Sequence, residues 1–273
     1  MSSRPDRYAV IGNPIAHSKS PDIHARFAAA TGQHIAYERL LAPLDGFVPA
    51  VRDFLHQGGK GMNVTVPFKL EAHALATELT GRARAAGAVN TLRFDGNNIL
   101  GDNTDGVGLV TDIIANARVT VRSGKVLLLG AGGAARGVVL PLLAESPQEL
   151  VIANRTFGKA QELANAFSAH GPVRAADLAS VRHRFDIVIN ATSASLADDV
   201  PPVASTVFGP ETLAYDMMYG KENTAFMRFA LGHGAAVRDG LGMLVEQAAE
   251  SFFVWRGVRP DTAAVFTELR NRL

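Results

Sequence analysis

The chain has 273 residues, a formal charge of +1 and 47% hydrophobic residues, enough apolar material to fill the cores of two domains of ordinary size. Near-neutral charge without a basic cluster argues against nucleic acid or a membrane surface as partner and leaves a small metabolite. Cysteine is absent and the eight histidines never fall at metal-ligand spacing, so disulfides and thiolate chemistry are excluded and no metal is expected. The first residues contain no apolar run of signal-peptide type and no segment approaches membrane-spanning length, so the expectation is a cytoplasmic protein.

Residues 8–11 read as a short strand, ended by Gly12-Asn13-Pro14. The polar turn His17-Ser18-Lys19-Ser20 then leads into a helix over 22–31 with Pro21 at its first position and Ser20 as N-cap. Strands follow at 35–41 and 61–66, with a helix at 47–55 between them and helical composition from 68 to 86. This alternation predicts a mainly parallel sheet covered by helices. Residues 89–94 and 98–100 flank Asp95-Gly96, a tight-turn signal that adds antiparallel strands at the sheet edge. A polar segment from Gly101 to Gly106 precedes an amphipathic helix starting at Val107, and the domain boundary is placed near Gly106.

Val126-Leu127-Leu128-Leu129-Gly130-Ala131-Gly132-Gly133-Ala134-Ala135-Arg136-Gly137 reads as a strand, a tight turn and a helix start. Gly130, Gly132 and Ala135 fit the G-x-G-x-x-G/A pattern, in which backbone N–H groups meet a pyrophosphate at the positive end of a helix. A second buried strand, 150–153, ends in Asn154-Arg155-Thr156, with Lys159 one helical turn onward. An acidic residue here would hold the ribose 2′-hydroxyl of NAD, whereas a cation accommodates the 2′-phosphate of NADP. NADP is therefore the expected cofactor. Further strands are expected at 186–190, 213–217 and 236–238, followed by helices at 241–254 and 262–270 that pack back on the first domain. The fold class is thus α/β with two domains: a mainly parallel α/β substrate domain over 1–106, completed by 240–273, and a Rossmann-type NADP-binding domain over 107–239.

Chemistry-bearing residues gather at predicted strand ends. Asn63-Val64-Thr65-Val66-Pro67-Phe68-Lys69 places polar groups and a lysine where open α/β sheets bind ligands. Lys69 is one of only 6 lysines against 21 arginines, and unlike arginine a lysine can exchange a proton at a carbonyl. With Asp105 it forms a plausible acid/base pair, although each also reads as an ordinary helix-start residue. Ser18 and Ser20, two hydroxyls at i and i+2, either cap a helix or receive a carboxylate. Thr192 and Ser193, after Asn190, either face a nicotinamide or make a turn. Gln247 places an amide in an apolar helix, where a buried one needs partners.

Ile11-Gly12-Asn13-Pro14 with Ser18-x-Ser20-Pro21, Asn63 to Lys69, Gly87-Ala88-Val89-Asn90-Thr91, Gly101 to Gly106, the glycine-rich turn, Asn154-Arg155-Thr156, Asn190-Ala191-Thr192-Ser193 and Asp239-Gly240-Leu241-Gly242-Met243 with Gln247 together resemble the shikimate dehydrogenase family. These blocks occur in the family's order and span nearly the whole chain. The resemblance implies NADP-dependent, reversible reduction of 3-dehydroshikimate to shikimate in aromatic amino-acid biosynthesis, by a monomer or homodimer. It implies that Ser18, Ser20 and Tyr219 hold the substrate carboxylate. Thr65, Asn90 and Gln247 would join Lys69 and Asp105 around the ring hydroxyls and the reacting carbonyl. It implies a cofactor site made by Gly130, Ala131, Gly132, Gly133, Ala134, Asn154, Arg155, Thr156, Lys159, Thr192, Ser193, Met217 and Gly240. The chain departs from the family after Tyr219-Gly220, where Glu222-Asn223-Thr224-Ala225-Phe226 replaces a segment that usually contains Thr-Pro. Two rival expectations are a quinate/shikimate dehydrogenase using NAD, disfavoured by Ser20 and Arg155, and a non-catalytic sensor of a shikimate-like ligand, disfavoured by retention of Lys69 and Asp105.

Overall fold

A computed structural model describes residues 4–273, apart from the side chain of Leu196. The chain divides into two compact units, one comprising residues up to Asp105 together with Val245–Glu268, the other Gly106–Leu244 with Leu269–Leu273.

The first unit runs β1 (Asp6–Gly12), α1 (Ser20–Thr31), β2 (Ile35–Leu41), α2 (Phe47–His56), β3 (Gly59–Val64), α3 (Lys69–Leu75), β4 (Glu78–Leu79), α4 (Gly81–Ala86), β5 (Thr91–Asp95) and β6 (Asn98–Asp102). Its sheet has the order β2-β1-β3-β5-β6-β4. The pairs β1·β2, β1·β3 and β4·β6 are parallel, and β3·β5 and β5·β6 antiparallel. The predicted hairpin is β5–β6, with Asp95 opposite Asn98 and Gly96 taking the positive φ of 58° that a two-residue turn needs.

Three expectations are corrected. Ser20 is the first residue of α1 and not its cap; Lys19 holds the cap position without a side-chain cap bond. The third strand ends at Val64, two residues early, because Thr65 begins the turn into Pro67, whose missing N–H cannot join a ladder. The long helix expected over 68–86 is two short ones, broken where residues 78–79 pair with β6. Edge pairing there outweighs the helical composition of the segment.

One face of this sheet is covered by Phe47 and Phe54 of α2, Ala72 of α3 and Phe68 before it, which pack in one core with Met62 of β3. The C-terminal helices α9 (Leu241–Arg256) and α10 (Ala263–Asn271) belong to the same unit from Val245 to Glu268. Trp255 of α9 stacks on Tyr8 with ring centroids 4.7 Å apart and donates its indole N–H to the carbonyl of Leu92 at 2.9 Å. Arg256 pairs with Asp6 at 2.6 Å, and Arg26 of α1 pairs with Glu268 of α10.

The second unit begins at Gly106, the second residue of α5 (Asp105–Thr111), which continues as a π-helical turn over Asp112–Asn116. It then runs β7 (Lys125–Leu129), α6 (Gly133–Ala144), β8 (Glu149–Asn154), α7 (Phe157–Phe167), β9 (Val173–Asp177), β10 (Ile187–Asn190), β11 (Leu213–Asp216), α8 (Ala225–Gly232) and β12 (Ala236–Asp239). All pairings are parallel, in the order β12-β11-β10-β7-β8-β9. Read from β9 this is the doubly wound 3-2-1-4-5-6 sheet, whose order reverses beside β7. Its strands are near-continuous apolar runs such as Val126–Leu129 and Leu150–Ala153, fully buried as a sheet covered on both faces requires. Strand β9 was not foreseen, because Val173-Arg174-Ala175-Ala176-Asp177 is an edge strand with little apolar signal. Among the described residues no helix is long and apolar enough to cross a membrane, and no group of three or more His, Cys, Asp or Glu could hold a metal ion.

Candidate active site

In the first unit the polar residues converge at the carboxyl end of β3 and the helix starts beside it. Phe68, fully buried, anchors the turn after the strand and leaves Lys69 as the first residue of α3. The Lys69 ammonium donates to Asp105 Oδ2 at 2.6 Å, with the two side chains 32% and 18% exposed. The other Asp105 oxygen accepts from Asn90 Nδ2 at 2.8 Å, and the Asp105 backbone N–H is held by Asn103 Oδ1 at 3.2 Å. Asn90 also donates to Gln247 Oε1 at 3.3 Å and to Thr104 Oγ1 at 2.9 Å. Lys69, Asn90, Asp105 and Gln247 therefore form one connected cluster. Thr65 is half-buried in the turn that ends β3. A partly shielded ammonium and carboxylate at this distance can share a proton with a bound oxygen, while a fixed amide holds the carboxylate in place.

Behind this cluster lies a buried polar layer of which the sequence marked only Asn63, in the run to Lys69, and Thr91, beside Asn90. Asn63 Oδ1 accepts from Tyr37 at 2.7 Å and from His24 Nε2 at 3.1 Å, and Asn63 Nδ2 donates to Ser251 Oγ at 3.0 Å. Ser251 also contacts the hydroxyls of Thr91 at 2.8 Å and Thr104 at 3.1 Å. Removal from water pushes the Tyr37 phenol well above its ordinary 10.0, against the opposing effect of Ser20 beside it, so it stays a donor. No local motif marks His24, Tyr37 or Ser251, whose partner Asn63 lies 26 positions from Tyr37 and 188 from Ser251. Period-two alternation along β2 was the one available sign that Tyr37 faces inward.

The Ser18–Ser20 turn closes on itself. Ser18 Oγ accepts from the Ser20 N–H at 3.3 Å, and the Ser18 N–H donates to the Ile15 carbonyl at 3.1 Å. Tyr219 belongs to the second unit, where burial, and then the negative charge of Asp239, raises its phenol above the ordinary value. The departure noted after Gly220 has a local explanation. Thr224 caps α8 by accepting from the Met227 N–H at 3.3 Å, and Ala225 takes the first helical position, where a proline would also fit.

In the second unit a cavity of about 490 Å³ opens at the carboxyl ends of β7, β8 and β10. It is lined by the expected Gly130, Ala131, Gly132, Gly133, Ala134, Asn154, Arg155, Thr192 and Ser193, and also by Asp199 to Pro202. Thr156, Lys159, Met217 and Gly240 are not part of that lining. Gly130 has φ +108°, and a Cβ on Gly132 or Gly133 would meet no atom within 4 Å. Space and free N–H groups at the start of α6 therefore fit a pyrophosphate. Arg155 and Lys159 are exposed, and neither has an acidic partner among the described residues. The donor set fits a phosphate-bearing dinucleotide.

The descriptions of three matching families are shikimate dehydrogenase substrate binding domain, over residues 10–92, shikimate/quinate 5-dehydrogenase, over 113–197, and shikimate 5′-dehydrogenase C-terminal domain, over 240–265. A protein of Herminiimonas arsenicoxydans named shikimate dehydrogenase (NADP(+)) is 69% identical over the full length of both chains. Among solved structures, the Ael1 enzyme of Pseudomonas putida superposes with a TM-score of 0.94 at 51% identity, covering 97% of this chain and 98% of that one. The Thermus thermophilus shikimate 5-dehydrogenase, solved in complex with NADP(H) and shikimate, gives 0.87 at 32% identity over 98% of this chain and 100% of its own. A cluster of lysine, aspartate and amides in one unit, a glycine-lined cavity at the strand ends of the other, and full-length similarity lead to one conclusion: the chain belongs to the shikimate dehydrogenase family of oxidoreductases.

Proposed function

We propose that the chain catalyses the reversible, NADP-dependent reduction of 3-dehydroshikimate to shikimate. The observation that carries this reading is the 2.6 Å pair of Lys69 and Asp105, braced by Asn90 at 2.8 Å, within a full-length match to proteins named for that activity. NADPH, when bound, supplies the hydride. Lys69 Nζ–H donates a hydrogen bond to the substrate carbonyl oxygen, which needs a proton as it becomes an alkoxide. Asp105 accepts from the ammonium, orients it toward that oxygen and shares the proton. In the oxidative direction the same pair removes the proton from the hydroxyl. Thr65, Asn90 and Gln247 hold the ring hydroxyls, and Ser18, Ser20 and Tyr219 the carboxylate, so that one face of one carbonyl is selected before hydride transfer. In the cofactor pocket, backbone N–H groups of Gly130 to Ala134 hold the pyrophosphate, while Asn154, Arg155, Thr156 and Lys159 surround the adenosine ribose and its 2′-phosphate. Thr192 and Ser193 face the nicotinamide, and Met217 and Gly240 complete the cofactor site.

The test is an absorbance assay of NADPH consumption with 3-dehydroshikimate, run beside shikimate or quinate oxidation with NADP or NAD. The proposal requires the highest kcat/KM with shikimate and NADP. Quinate with NAD as the best pair would replace it with the broader dehydrogenase reading. No turnover with any pair, but saturable binding of shikimate, would mark a sensor.

A further inference from the structure

Strand β2 carries Tyr37 and Arg39 two residues apart, so both project from the same face. Tyr37 reaches the first residue of α1 and Arg39 the turn before it. Tyr37 lies beside the Ser20 hydroxyl, and Arg39 donates from Nε and Nη2 to the backbone carbonyl of Ser18 at 3.1 and 2.6 Å. Glu38, on the opposite face, pairs with Arg7 at 2.7 Å and leaves the Arg39 charge uncompensated. Among the described residues no carboxylate stands within ion-pair distance of Arg39. A charge on an edge strand has the ordinary use of discouraging strand addition. That use does not require two donors closed on a carbonyl 21 positions away.

The Ser18 and Ser20 hydroxyls replace part of the water around an anion but bring no charge of their own, and a charged partner strengthens such a site. We infer that Arg39 is a positioning residue for the substrate carboxylate: it fixes the Ser18 backbone, and with it the pair of hydroxyls, and sets a permanent positive charge beside them. The inference rests on the proposed function, in which those hydroxyls receive the carboxylate of shikimate. A guanidinium brings a fixed positive charge. Its exposure makes it sensitive to salt.

Kinetics of shikimate oxidation by the parent chain, Arg39→Gln and Arg39→Lys, at several ionic strengths, test this. In Arg39→Gln, KM for shikimate rises about tenfold at low salt while kcat stays within about twofold, as expected for a lost charge-assisted contact away from the reacting atoms. KM for NADP is unchanged, and the rise of KM with salt seen in the parent is weaker in the variant. Arg39→Lys recovers part of the loss, since it keeps the charge without the fork. A KM for shikimate within about twofold of the parent at low salt overturns the inference. So does a rise in both KM values together with a fall in melting temperature, which marks a structural role. A parent chain that turns over quinate but not shikimate removes the proposed function, and the inference falls with it.

Discussion

His24 donates its Nε2–H to Asn63 Oδ1 across 3.1 Å in a place that excludes water completely. The tautomer follows from the amide. Asn63 Oδ1 also accepts from Tyr37 at 2.7 Å, and its nitrogen donates to Ser251 at 3.0 Å, so the oxygen must face the imidazole and the imidazole must be the donor. The ring is stacked on Tyr37 at 4.4 Å and leaves its Nδ1 buried without a protein partner. A neutral histidine thus sets the rotamer of an asparagine at the end of β3.

Burial lowers the His24 pKa from 6.5 to about 3, against the weaker opposing effect of the Asn63 hydrogen bond. The unfolded chain takes up a proton near 6.5 that the folded chain refuses until about 3, so His24 contributes stability above 6.5 that is lost as pH falls below it. Unfolding free energy should drop by about 1.4 kcal/mol per pH unit from this group between 6.5 and about 5, before carboxylates dominate. His24→Gln keeps an N–H donor without titrating. Urea unfolding across that window should give a flatter pH dependence in the variant; equal slopes would exclude His24 as the source.

Ser251 is the second buried hub. Its hydroxyl donates to the Gln247 carbonyl at 2.9 Å and sits within 3.1 Å of Asn63, Thr91 and Thr104. Removing it strands donors that cannot reach water, so Ser251→Ala should cost about 1–3 kcal/mol in denaturant unfolding. Because the same hydroxyls flank Asn90, kcat/KM for shikimate should fall as well. A variant as stable and as active as the parent would show that the layer adapts to the loss.

How much of this was legible in the sequence depends on the range of the signal. Gly130, the apolar run before it and Arg155 are local features, and the unit they belong to was readable as a doubly wound sheet from strands that are apolar throughout. The polar layer was readable only in part: Asn63 and Thr91 stand in motif runs, but nothing local joins them to His24, Tyr37 and Ser251. Only a sheet that sets Asn63 opposite Thr91, with α9 packed over both, makes them a network. Likewise, the helical composition of 68–86 carried no sign that residues 78–79 would pair with β6. Strand pairing is a property of two segments, and a window on one cannot hold it.

The ion pair of Lys69 and Asp105 predicts an asymmetric kinetic result. Lys69→Ala should lower kcat by about 100-fold or more with little change in KM for shikimate, since the lost contact matters most as charge develops on oxygen. Asp105→Asn should keep the hydrogen bond to Lys69 but withdraw the acceptor for its proton, and should lower kcat as well. Equal turnover in Lys69→Ala, measured by single-turnover absorbance, would remove the lysine from the chemistry.

Arg155 lines the cofactor pocket and has no acidic partner among the described residues. A guanidinium beside a 2′-phosphate offers two parallel hydrogen bonds that NAD cannot use. Arg155→Ala should therefore raise KM for NADP by about tenfold or more and change KM for NAD by less than about twofold. An unchanged ratio of the two values would place the 2′-phosphate elsewhere, with Lys159 the next residue to substitute.

Gly242, in the first turn of α9, has no room for a side chain. A Cβ there would overlap the carboxylate of Asp112, which is fully buried and takes four hydrogen bonds from three side chains. Arg238 donates from Nε and Nη2 at 2.6 Å each, Tyr215 at 2.8 Å and Asn116 at 2.9 Å. The carboxylate cannot step aside without uncoupling a buried charge from its guanidinium, and the helix cannot shift without moving the turn before it. Gly242→Ala should therefore cost about 3 kcal/mol or more, although alanine is the better helix former. The measurement is unfolding by urea with both fluorescence and circular dichroism. A destabilisation below about 0.5 kcal/mol would mean that the Asp112–Arg238 pair is free to move.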